Sequence, residues 1–116
     1  MTRGPAAAGP RVPPRGVAYD RAMPPPPFEA ANPDFEAAVR ASFARQTLMA
    51  TLGASLAAVR PGEVDVAMPC APRVAQQNGF VHAGAVASIA DAANGYAAWS
   101  IAPAGTDVLA VEFKIN

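Results

Sequence analysis

Gln76, His82, Ala83, Gly84 and Asp91 are the residues of this chain whose types and spacing lend themselves to chemistry. Asn78-Gly79 reads as a turn dipeptide and His82-Ala83-Gly84 as a hinge, and an Ala-rich apolar helix follows to about Ile101 with one carboxylate, Asp91, inside it. An ionised carboxylate buried without partners costs several kcal/mol, so Asp91 either stands at a surface or is held for a purpose. The start of a helix offers unpaired amides at the positive end of the dipole. The N–H groups of Ala83 and Gly84 therefore suit a developing oxyanion. His82 and Asp91 are separated by nine positions. In a helix that spacing is about 13 Å of length and roughly half a turn, so a site using both ends requires two copies of the helix side by side.

The helix that must position these groups has two faces. At 100° per residue, Gly84, Ala87, Ser88, Asp91, Gly95 and Ala98 share a face of small residues, and Val86, Ile89, Ala93, Tyr96 and Ala97 share an apolar face suited to a sheet. The small face reads either as a tight packing surface with Asp91 at its wet edge or as a channel into which Asp91 projects. His82 likewise reads as a loop-holding residue or as part of a site. With one His and one Cys in the chain there is no histidine-cysteine metal set. Cys70, between Pro69 and Pro72, has neither a helix start nor basic neighbours to activate it.

Composition bounds the rest. The 116 residues are 52% hydrophobic, enough for the core of one domain. Residues 1–27 hold 8 of the 13 prolines, with Arg3, Arg11, Arg15 and Arg21 against the single acid Asp20, and are expected to be a disordered extension. Alternatives for that stretch are a proline-rich ligand, a transit peptide, or synthesis beginning at Met23. Five basic and eight acidic residues remain in 28–116, a formal charge of −3 that argues against a nucleic-acid partner. No apolar run approaches the roughly 20 residues of a membrane span, and a lone cysteine suits a reducing compartment, so the expected location is cytoplasmic and off the membrane.

Pro33, Asp34 and Glu36 predict a helix from about Pro33 to Gln46, with Phe35, Val39 and Phe43 on its packed face. Leu48, Leu52 and Leu56 have helical spacing, but Gly53 weakens a helix there and leaves 47–53 ambiguous. Arg60-Pro61-Gly62-Glu63 has the composition of a type II turn and predicts a hairpin of residues 54–59 and 64–68. Residues 107–116 alternate Leu109, Val111, Phe113 and Ile115 against Val108, Ala110, Glu112 and Lys114, which predicts a final strand with one apolar face.

Taken together, these residues resemble the signature of the hotdog-fold acyl-CoA thioesterases of the phenylacetate-degradation type: Asn or Gln, a turn, His-Gly-Gly, and an acid in the long helix. Gln76 stands six before His82, His82-Ala83-Gly84 replaces His-Gly-Gly, Asp91 lies nine after His82, and Gly79-Phe80-Val81 and residues 92–98 are also similar. The resemblance covers residues 33–116. It implies an α+β hotdog fold, a long central helix wrapped by an antiparallel sheet, in chains that self-associate as a homodimer or dimer of dimers so that Asp91 of one faces the helix start of the other. It further implies hydrolysis of acyl-CoA or aryl-acyl-CoA thioesters. Asp91 would be general base or nucleophile, the Ala83 amide would polarise the carbonyl, Gln76 would position the water or carbonyl, and His82 would fix the turn. Gly84, Asn78 and Ser88 would line the substrate. No cofactor and no metal is expected, because a thiolate leaves readily.

Ala83 departs from the pattern: its methyl is tolerated in helical backbone but not at positive φ. Relatives continue past Asn116 with further strands, so the resemblance implies a partial domain over 28–116 with its C-terminal strands missing. The alternatives are an inactive hotdog fragment, an acyl-CoA-binding protein, and a hotdog hydratase, the last disfavoured because no Asp-x-x-x-x-His arrangement precedes the helix.

Overall fold

Asn32 opens the first helix by turning the chain back on itself: its side-chain oxygen accepts the Asp34 N–H at 3.0 Å, and its carbonyl accepts the Phe35 N–H at 3.1 Å. In this computed structural model, which describes residues 27–116, helix α1 accordingly spans Phe35–Phe43. It starts two residues later than the Pro33 rule implies, because the Asn32 turn occupies those positions. The expected disordered extension lies, except for Pro27, outside the described residues. Val39 and Phe43 are buried, and the exposed Arg40–Glu36 pair at 2.7 Å decorates the wet side.

The ambiguous stretch is helical. Helix α2 spans Thr47–Leu52 and stops at Gly53, which takes the left-handed φ of 68° while the Ala54 N–H returns to the Met49 carbonyl. The expected hairpin follows as β1, Ser55–Arg60, and β2, Glu63–Ala67, antiparallel with Arg60 opposite Glu63. Gly62 at φ 75° supplies the positive φ that the turn requires. Val59 and Val64 face each other across the ladder and are both buried. Across the turn Arg60 Nε donates to Glu63 Oε2 at 3.0 Å, a hydrogen bond that holds the Glu63 carboxyl below the ordinary glutamate range and raises Arg60.

The long helix α3, Ala83–Trp99, packs across β2. Its buried line is Ala85, Ala92 and Tyr96 with Ile89 packed against the core, while Val86 is 46% exposed. The inward face is thus turned about 60° from the expected one. Tyr96 sets that rotation. Its ring lies 5.9 Å from Phe43, and its hydroxyl accepts from Gln46 Nε2 at 2.9 Å and donates to Ser42 Oγ at 3.1 Å. At the other end of this packing Ser100, wholly buried, accepts the Gly62 N–H at 2.8 Å and donates to the Ala97 carbonyl at 2.7 Å, tying the end of α3 to the hairpin turn.

The expected strand over 107–116 does not form. Among the described residues the sheet has two strands, and neither pairs with this segment. An extended run becomes a strand only when a neighbour takes up its backbone N–H and C=O groups. The segment instead leaves α3 through a hydrogen bond from Trp99 Nε1 to the Thr106 carbonyl at 2.6 Å, with Leu109 and Val111 turned outward at 86% and 99% exposure. The architecture is α+β: a long helix laid across an antiparallel hairpin, with α1 closing one side.

Candidate active site

The approach to α3 is a tight loop built by its own residues. The Gln76 N–H donates to the Phe80 carbonyl at 2.7 Å, the Gly79 N–H to the Gln76 carbonyl at 3.0 Å, and the His82 N–H to the Val74 carbonyl at 2.8 Å. Gly79, at φ 84°, makes the turn that Asn78-Gly79 predicts. The side-chain oxygen of Gln76 accepts the Asn78 N–H, which leaves Gln76 Nε2 as a donor that no described residue takes up. Asn78 itself is exposed at the tip.

His82 is the N-cap of α3. Its Nδ1 accepts the Gly84 N–H at 2.8 Å, so in the neutral ring the proton sits on Nε2. This arrangement corrects one expectation: the Gly84 amide is consumed by the cap and is not a donor for a ligand. The Ala85 and Val86 amides both return to the His82 carbonyl. Among the first helical amides, Ala83 N–H is the one that no described residue accepts. Among the described residues none other than glycine has positive φ, so Ala83 carries its methyl in ordinary helical backbone.

Ser88, four residues on from Gly84, donates its hydroxyl to the Gly84 carbonyl at 2.8 Å and thereby faces its own helix, keeping only an acceptor lone pair for a ligand. Asp91 is exposed and makes no hydrogen bond or ion pair among the described residues. Helix α3 runs unbroken between the two ends, so the His82 turn and Asp91 stay about 13 Å apart along it in one chain.

Beside Asp91 lies a cavity of about 420 Å³, bounded on α3 by Asn94 and Gly95, on α1 and its exit by Ser42 and Gln46, and on the open side by the 107–113 segment. Ser42, Gln46 and Asn94 were not among the expected site residues. Asn94, three positions after Asp91, had a helical signal. Ser42 and Gln46 share a face at a spacing of four, but their proximity to Asp91 follows from how α1 docks on α3, which no local pattern reports. Among the described residues no three His, Cys, Asp or Glu side chains gather as metal ligands would.

A long helix laid across a small antiparallel sheet is the layout of the hotdog fold, which the comparisons with known proteins bear out. The family model for a domain of unknown function, DUF4442, matches residues 26–116, and the chain belongs to that family. A solved crystal structure of a thioesterase family protein from Silicibacter pomeroyi is similar to it, with a TM-score of 0.69 and 49% identity over 71% of this chain and 60% of that one. The present chain therefore spans 60% of that protein's length. No curated protein matches the chain. No described helix is long and apolar enough to cross a membrane.

Proposed function

We propose that the protein hydrolyses acyl-CoA or aryl-acyl-CoA thioesters at a site shared by two copies of the chain, with residues 28–116 as the thioesterase domain. The observation that carries this reading is the helix start. His82 takes the Gly84 amide through Nδ1 and leaves the Ala83 amide unpaired at the positive end of a 17-residue helix. The thioesterase family protein at 49% identity supports the reaction class.

In the reaction, the Asp91 carboxylate of one chain takes a proton from water as the water oxygen bonds to the thioester carbonyl carbon. The carbonyl electron pair moves onto its oxygen, which the Ala83 N–H of the second chain holds, and Gln76 Nε2 donates to the same oxygen or to the water. Collapse expels the CoA thiolate, which takes the proton from Asp91. One water is consumed, and a free acid and a thiol are released. The thiolate leaves readily, so these steps call on no metal. Asp91→Ala is expected to abolish thiol release from a CoA-thioester panel while the melting temperature stays unchanged; turnover in that variant would remove Asp91 from its role.

A further inference from the structure

The cavity beside Asp91 has a polar end that the thioester chemistry does not use. Gln46 Nε2 donates to the Tyr96 hydroxyl at 2.9 Å, and Tyr96 donates to Ser42 Oγ at 3.1 Å. Because Ser42 is already an acceptor in this relay, its own O–H is directed elsewhere, and Gln46 Oε1 has no partner among the described residues. Ser42 and Gln46 both line the cavity, and their uncommitted O–H and Oε1 are one donor and one acceptor linked through the Tyr96 hydroxyl. A hydroxyl group, which accepts and donates at once, fits that pair. A carboxylate does not: it cannot donate to Gln46 Oε1, and Asp91, Asp107 and Glu112 line the same cavity with their own negative charge.

Tyr96 lies five residues beyond Asp91 on α3, about 7.5 Å along the axis and roughly 140° around it, so the Ser42–Gln46 pair stands apart from the Asp91 carboxylate. We infer that the acyl group taken at this site carries a neutral hydroxyl at its far end, received by Ser42 and Gln46, and that dicarboxylic monothioesters are rejected. This inference rests on the thioesterase reading above and specifies its substrate class.

Three CoA thioesters of equal chain length test it: hexanoyl, ω-hydroxyhexanoyl and adipoyl, followed by thiol release with the full chain. The ω-hydroxy ester is expected to exceed hexanoyl by about tenfold in kcat/KM, the worth of one added hydrogen bond, with adipoyl below hexanoyl. Ser42→Ala should bring the hydroxy-to-plain ratio close to one. Ser42→Thr, which retains the hydroxyl, should preserve the ratio and so separates recognition from any loss of packing around Tyr96. Equal rates on hexanoyl and its ω-hydroxy form, or a ratio untouched by Ser42→Ala, would overturn the subsite and leave the thioesterase reading standing. Turnover of none of the three, nor of the wider thioester panel, would overturn both.

Discussion

Ala83 contributes to the proposed chemistry through its backbone alone, which makes it testable in an unusual way. It is the first residue of α3, the position where proline is well accepted because the amide there has no helical partner. His82, at φ −67° and ψ 133°, already has the extended backbone that a following proline demands. Ala83→Pro thus deletes one N–H and leaves the helix intact. We expect kcat to fall roughly 100- to 1000-fold, the cost of removing one oxyanion donor, with thermal melting unchanged. Substitution at His82 is less discriminating, because it removes the cap and the loop geometry together. The exposed, unpartnered Asp91 and Gln76, whose side-chain oxygen is taken by the Asn78 N–H, complete the set.

Among the elements, the joint between α3 and the hairpin is the most sharply defined. Ser100 Oγ, on a wholly buried side chain, is the acceptor for the N–H of the half-buried Gly62. Ser100→Ala strands that donor and should destabilise the fold by roughly 1–3 kcal/mol, read as a lower urea midpoint at unchanged m-value. Much at this level was legible in the sequence because it is local: Pro61-Gly62 between alternating strands and Asn78-Gly79 before the histidine. The misreadings share one cause. The rotation of α3 depends on Tyr96 meeting Phe43, Ser42 and Gln46 on a distant helix, so a wheel that weighs only apolar residues turned Val86 inward. The alternation over 107–116 reports what a strand would require of its neighbour and carries no information on whether a neighbour is present. The Gly84 amide was misassigned because the sequence shows a histidine at the cap without showing which way its ring turns.

For the molecule as a whole, two further outcomes follow. The folded state holds Glu63 below its ordinary range, chiefly through the Arg60 hydrogen bond, so this group's contribution is present above the unfolded glutamate pKa and is lost as pH falls through the lower folded value. Glu63→Gln should therefore lower the melting temperature relative to the parent near neutral pH, with the gap closing on acidification through and below the ordinary glutamate range; a gap that widens in acid would contradict the assignment. The second outcome concerns the shared site. The unbroken helix keeps the Ala83 amide and Asp91 apart within one chain, and in the proposed site a second copy supplies the missing half. Each single variant, Ala83→Pro or Asp91→Ala, should then be nearly inactive alone. A mixed pair contains one site built from both unaltered halves and one built from both altered halves. Co-refolding the two variants in equal amounts and measuring thiol release should restore about one quarter of the parent activity, since half of the pairs are mixed and each has one working site; a mixture no more active than the variants alone would contradict the two-chain site.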